Sequence, residues 1–307
     1  MGAGLAIQPW LGPTPAGPPE TWVADRDASC LRGLDAELID SRRHELGWPL
    51  AVAPRADGGL WVARSGNATN AYGARLLSLS QDGDPLGELH LEGFHDLDVL
   101  RDGRGLCLER LDGGSSRLWR TDSDATPRLL VQADRMRHAR ISGSAAWCGG
   151  DDGRLLRVDV ETGTVLALAC LPAPVQGLRA SGDGGAWVLL GGTAPILARL
   201  DERMARVAQV PMEQPLAFDV LPGVAGPWTL ERGGAVLRSR TRDGGPRLEV
   251  DLSILPEARH VLSMPDGGVL VASPGGILRF DAHGAPRPGQ GGFSWISGWC
   301  RAQANGG

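Results

Sequence analysis

Lysine is missing from this sequence altogether, and all 31 basic residues are arginine. So complete an absence points to a coding bias rather than to a selected arginine surface. Acidic residues number 36, the net charge is -5 and aromatic residues make up only 5%. That balance excludes a general nucleic-acid binder, which needs a basic face with aromatic platforms. No apolar run approaches the ~20 residues that cross a bilayer, so no membrane span is expected. The first twenty residues have neither a basic start nor an unbroken apolar centre, and no secretory signal is expected either. Cysteine is sparse. Cys30, Cys107, Cys148, Cys170 and Cys300 lie far apart, with no C-x-x-C and no paired Cys/His spacing. Such spacing supports neither a zinc site nor a disulfide framework. Free thiols buried in strands, in a reducing cytoplasm, are the expectation.

Glycine and proline, by contrast, are plentiful at 45 and 22 among 307 residues, and they are not scattered. Asp57-Gly58-Gly59 leads into Leu60-Trp61-Val62-Ala63, and Asp183-Gly184-Gly185 into Ala186-Trp187-Val188. Asp266-Gly267-Gly268 leads into Val269-Leu270-Val271-Ala272, with a looser copy at Asp102-Gly103 before Leu106-Cys107. An Asp-Gly step between two apolar runs is a tight hairpin, because both residues tolerate positive φ. Tryptophan sets the period: 39 residues separate Trp22 from Trp61, 86 separate Trp61 from Trp147, and 40 separate Trp147 from Trp187. Trp228 follows 41 later, while Cys107 and Leu270 hold the same slot in two further copies. A period of about 40–45 residues with four short strands per copy predicts propeller blades.

Inner strands begin near Pro49, His95, His138, Val175, Leu216 and His260, which makes six complete copies. The remainder is split between the ends. Gly298-Trp299-Cys300-Arg301 reads as an inner strand, and Thr21-Trp22-Val23-Ala24-Asp25 as the second strand it lacks. The sequence therefore predicts an all-β, seven-bladed β-propeller of four-stranded blades, one blade closed by strands from both termini. Such closure leaves the ring no open edge. Residues 21–307 form one propeller domain, and residues 1–20 a Pro-rich N-terminal extension. Its five prolines bar a regular helix or central strand. Its Trp10 is expected to lie along the ring or to dock into a partner.

The stretch Trp22-Val23-Ala24-Asp25-Arg26-Asp27-Ala28-Ser29-Cys30-Leu31-Arg32-Gly33-Leu34-Asp35 resembles an NHL-type repeat. Trp61-Val62-Ala63-Arg64, followed by the apolar run 76–79, is a second and looser copy. The resemblance implies the broad propeller group that holds NHL proteins, gluconolactonase-like hydrolases and streptogramin lyases. Gluconolactonase-like propellers use carboxylates and an Asn at the channel mouth, and streptogramin lyases use His and Glu with magnesium. Neither set maps residue by residue onto this chain, so the resemblance implies architecture rather than activity.

Ligand sites on propellers form at the face where inner strands begin and second strands end, by analogy of fold. From the inner strands the candidates there are His95, Asp96, Asp98, His138, Arg179, Asp219 and His260. From the ends of the second strands they are Asp25, Arg64, Glu109, Arg110, Asp151, Asp152 and Glu231. His95, Asp98, His138, Asp219 and His260 have the chemistry for acid–base work or for a divalent metal. The second-strand slot reads Asp25, Arg64, Arg110, Gly150, Leu190, Glu231 and Ser273 around the ring. That is a poor metal cage, but its arginines suit an anionic ligand, to which a guanidinium presents a planar fork. Arg179 and Tyr72, the chain's single tyrosine, in the long loop 65–73, complete the ligand-binding set. His44, His90 and His283 are expected on exposed outer strands or turns.

The Trp slot reads as blade-to-blade packing. The Gly-rich stretches are hairpin turns, not phosphate loops, because no helical pattern follows them. The function expected is a non-catalytic ligand- or protein-binding module. It would serve recognition or scaffolding, need no cofactor, and take a protein partner or a small anionic molecule. The alternative is a lyase or hydrolase with a polar, metal-assisted site at the channel mouth.

Overall fold

The Asp-Gly steps fold as their chemistry predicts. Gly58, Gly103, Gly184 and Gly267 take φ of +82°, +85°, +86° and +82°, and each turn joins two strands into an antiparallel pair. In the Asp57 and Asp183 turns the second glycine is required by space. A Cβ on Gly59 would sit 2.3 Å from the Leu79 carbonyl oxygen, and one on Gly185 would sit 2.2 Å from that of Leu200.

Repeated around a ring, these hairpins give a seven-bladed propeller in which each blade has four antiparallel strands. The computed structural model describes residues 7–8, 21–35, 37–66, 73–221, 226–253, 255, 257–274, 276–291, 293 and 296–301. The innermost strands of blades 1 to 6 are Pro49–Pro54, Gly93–Val99, Met136–Ser142, Val175–Ala180, Ala217–Asp219 and His260–Ser263. Their outermost strands are Pro85–His90, Pro127–Asp134, Val165–Cys170, Arg206–Pro211, Pro246–Asp251 and Pro286–Gly291. Blade 7 is the shared one: Ile296–Arg301 pairs with Thr21–Asp25, then come Cys30–Leu34 and Asp40–Glu45. Among the described residues no helix is long and apolar enough to cross a membrane.

Each blade buries its faces against its neighbours, and the tryptophan slot is where they lock. The Trp61, Trp147 and Trp228 side chains are buried. Their Nε1–H groups donate to the carbonyls of Gly103, Gly184 and Gly267, at 2.8, 3.2 and 3.2 Å. Each acceptor belongs to the Asp-Gly turn of the next blade. Cys107 fills the slot in blade 2 without such a donor, deep in the core and 0% exposed.

Two details differ from the sequence reading. Cys170 is exposed, unlike Cys30, Cys107 and Cys148, because it falls on the outermost strand of blade 3. His44 is half-buried because its ring stacks on Trp22 with centroids 5.4 Å apart. Of the N-terminal extension, Ile7–Gln8 runs parallel to the outer strand of blade 6, opposite Gly289 and Gln290. Trp10 lies outside the described residues.

Candidate functional site

The register places Arg110, Arg64 and His260 at the face where inner strands begin, but Asp98, Arg179 and Asp219 lie opposite Leu106, Trp187 and Trp228, toward the Asp-Gly turns at the other end of the channel. Gly93 lies opposite Arg110, Met136 opposite Gly150 and His260 opposite Ala272, so inner strands begin where second strands end. The inner strands then carry their charged residues along the channel, and these residues reach sideways.

Asp96 of blade 2 accepts the Ala139 N–H of blade 3 at 3.0 Å and meets the Arg140 guanidinium at 2.6 Å. Asp98 accepts the Ile141 N–H at 2.8 Å. In blade 5, Asp219 accepts the Ser263 N–H of blade 6 at 2.8 Å and the Nε–H of Arg179 from blade 4 at 2.8 Å. An innermost strand has one edge with no neighbouring strand of its own sheet, and unsatisfied N–H groups there are costly. The three carboxylates satisfy them. Burial works to raise the Asp96 pKa, but Arg140, His138 and two N–H bonds hold it below the ordinary carboxylate range. Burial pushes Asp98 upward, and Arg140 with its N–H bonds only partly offsets this.

The imidazoles face a different field. Burial, then Arg137 and Arg110, lower His95 from 6.5 to about 4, with Arg137 Nη1 3.3 Å from its Nε2. Burial lowers His138 to about 4 as well, with Arg140 and Arg179 working against Asp96, whose Oδ2 is 3.9 Å from its Nδ1. His260 is lowered by burial against a hydrogen bond with the backbone of Ile296. Both His95 and His138 are therefore neutral at physiological pH. The unfolded chain takes up their protons near 6.5 and the folded chain only near 4, so stability must fall as pH drops through that window. Melting temperature measured from pH 7 to pH 4 is expected to decline, and His138→Gln is expected to flatten the decline. A profile unchanged by that substitution would contradict the assignment.

At the second-strand slot two carboxylates act as clamps. Glu109, 4% exposed, accepts the Glu92 N–H at 2.9 Å and the Trp119 Nε1–H at 2.8 Å. Glu231, 0% exposed, accepts the Glu213 N–H at 3.0 Å and Thr229 Oγ1–H at 2.8 Å. Arg238 and Arg240 reach the same carboxylate at 2.7 and 2.5 Å. Glu92 and Glu213 lie just ahead of the inner strands of blades 2 and 5, so each clamp fixes the chain as it turns toward the channel. Asp25 is buried and accepts the Ala28 N–H at 3.3 Å. Arg64 is half-buried, and its Nε has no hydrogen-bond partner among the described residues. Asp151 pairs with Arg137 and Asp152 with Arg154. Tyr72 lies outside the described residues.

The fold is similar to that of streptogramin B lyase. The match to that structure has a TM-score of 0.62 at 17% identity, covering 89% of this chain and 97% of the other. The dihydro-heme d1 dehydrogenase NirN matches with a TM-score of 0.65 at 13% identity over 96% of this chain and 77% of the other. The WD40 propeller domain of Doa1 matches with a TM-score of 0.61 at 12% identity, over 85% and 88%. At such identities the likeness is one of fold. No family model matches the sequence, and no curated protein does.

The structure thus draws Asp96, Asp98, His138 and Arg140 together across blades 2 and 3, and Arg179 and Asp219 together across blades 4 and 5, and leaves Glu109 and Glu231 apart from both. His260 lies at a small hollow with Arg259, Ser273 and Ile296. Among the described residues no three of His, Cys, Asp and Glu converge as a metal cage. Sequence reasoning passed over Arg140 and Arg137. The signal was present for Arg140, which stands two residues from His138 and so shares its strand face.

Proposed function

We propose that this chain is a non-catalytic propeller module that binds through its channel face, taking a small anionic molecule or an acidic segment of a protein partner. One observation carries the reading: the channel carboxylates are spent on the fold. Asp96, Asp98 and Asp219 give oxygens to backbone N–H groups of the next blade, and Asp96 and Asp219 also pair with arginines. Burial, with the guanidiniums of Arg137 and Arg110 nearby, keeps His95 neutral, and the field of those two cations favours a carboxylate or phosphate. Arg64 and Asp25 belong to the same proposal as residues of that face, and Arg179 as a cation further along the channel. Glu231 clamps the chain behind it, and Tyr72 is proposed to contact the ligand as well. No cofactor is required, and nucleic acid and membrane are not partners. The hairpin of Thr21–Asp25 with Cys30–Leu34 suits an NHL-type repeat. The free, buried thiols of Cys30, Cys107 and Cys148 suit the cytoplasm.

The second reading is a lyase or hydrolase. It is favoured by Asp98, whose carboxyl is raised, and by the neutral His138 on the adjacent inner strand. Environments that push two groups apart in this way create an acid and a base. Calorimetric titration with citrate, phosphate and a polyglutamate peptide, with and without magnesium, decides between them. Binding of at least one ligand, weakened about tenfold by Arg137→Gln, is expected. Failure of all three to bind overturns the module reading. Magnesium-dependent opening of an added lactone, lost in Asp98→Asn, would establish the enzyme.

A further inference from the structure

The outermost strand of each blade ends its sheet with unpaired backbone groups, which folded proteins blunt with proline, charge or a covering segment. Six blades carry such devices. Blades 1, 2 and 5 open their outer strands with Pro85, Pro127 and Pro246, and blade 4 has Arg206 and Pro211. Blade 7 has Arg42 and Arg43, and blade 6 has Pro286, Pro288 and the added strand Ile7–Gln8. Blade 3 has none. Its outer strand, Val165-Leu166-Ala167-Leu168-Ala169-Cys170, contains no proline and no charge. Val165, Leu166 and Leu168 are 45%, 47% and 60% exposed, and among the described residues no further strand pairs with it.

We propose that two copies of this chain join at that edge, the outer strand of blade 3 pairing antiparallel with the same strand of a second copy. A two-fold axis across the edge brings each strand back against its own sequence in reverse, so the surface must be self-complementary. A charged strand meets its own charges in that arrangement, as the outer strand of blade 7 would with Arg42 and Arg43. Val165–Cys170 meets only apolar side chains and a thiol. The rim also accepts an extra strand in practice, since Ile7–Gln8 extends the outer strand of blade 6. Leu129 and Val207, on the outer strands of blades 2 and 4, are 45% and 51% exposed and widen the apolar rim on either side. A six-residue edge falls short of the roughly 1,200 Å² of a standing interface, so the dimer is a reversible one with Kd in the micromolar range. The inference does not depend on what the channel face binds.

Sedimentation equilibrium of the full chain tests it, together with a fluorescent peptide copying residues 163–172. The expected result is a reversible monomer–dimer equilibrium that the peptide competes away. Leu168→Arg places two guanidiniums beside the dyad and weakens the dimer at least about tenfold. Its melting temperature stays at the wild-type value because Leu168 is exposed. Leu86→Arg, on the outer strand of blade 1, leaves the dimer intact. A chain that stays monomeric at every concentration overturns the proposal, whether or not it binds the peptide. Peptide binding by such a monomer would assign the edge to a strand of another protein instead. A Leu168→Arg variant that dimerises like wild type overturns it too.

Discussion

Replacing Glu231 with alanine is expected to lower the melting temperature by roughly 6–10 °C, because removing one partner of a buried ion pair costs about 3–5 kcal/mol. The carboxylate is 0% exposed and holds four partners. Arg238 keeps Glu213 and Glu249 as alternatives when Glu231 is lost. Arg240 does not. Its side chain is only 5% exposed, and its remaining contacts are long ones to Thr229 and the Gly244 carbonyl, both 3.4 Å. A stranded buried guanidinium is therefore the main cost. Burial works to raise the Glu231 pKa, but the Glu213 N–H and Arg240 hold it below the ordinary 4.5. A depressed folded pKa means that this stabilisation is present above about 4.5 and is lost as pH falls below it. Calorimetric melting of wild type and Glu231→Ala should show a gap at pH 7 that narrows in acid. Glu231→Gln keeps the shape and one acceptor, so its gap should be smaller. Equal melting temperatures at pH 7 would refute the clamp.

Trp61→Ala is expected to cost about 3–5 kcal/mol, the usual range for deleting a buried indole. The ring is 0% exposed. It fits against Gly105 of blade 2, where a Cβ would lie 3.0 Å from it, and Arg55 sits 5.7 Å from its centroid. Trp61→Phe separates packing from hydrogen bonding. It keeps most of the apolar body but leaves the Gly103 carbonyl without its 2.8 Å donor, a loss of about 1–3 kcal/mol. Urea unfolding of both variants checks the division. Phe as damaging as Ala would mean that the N–H bond, not the ring, joins blades 1 and 2.

The fold was legible because its determinants are local and periodic. An Asp-Gly turn needs no distant partner to be recognised, and Trp22, Trp61, Trp147, Trp187 and Trp228 mark the blades by spacing alone. The channel was only half legible. His95, Asp96, Asp98, His138, Arg179 and Asp219 were placed on inner strands by register, but their partners were not. The reason is physical: Ala139, Ile141 and Ser263 receive these carboxylates through backbone N–H groups, which carry no side-chain identity. The clamping contacts of Glu109 and Glu231 are hidden for the same reason, since Glu92 and Glu213 reach them through the main chain. The open edge of blade 3 stood in plain view as six uncharged residues. Only the exposure of Leu168 shows that nothing in the described chain covers it.

The tryptophan contacts to turns and the carboxylate contacts to inner-strand N–H groups share one direction between blades. Trp61, Trp147 and Trp228 each reach the turn of the blade that follows in the chain. Asp96, Asp98, Asp219 and Arg179 reach the inner strand that follows. Arg42 of blade 7 donates to the Gln81 carbonyl and Ser297 to that of Pro49, both in blade 1, so the same sense is kept across the closure. Chains are made in one direction too, and their early parts fold first. A finished blade thus already displays the groups onto which the next one docks, and assembly can run like a zip pulled from one end. Ile296–Arg301, emerging last of the described strands, must find a partner made long before it, as Pro286–Gly291 does when it meets Ile7–Gln8. Ring closure, rather than the making of any single blade, is the step for which the growing chain has to wait.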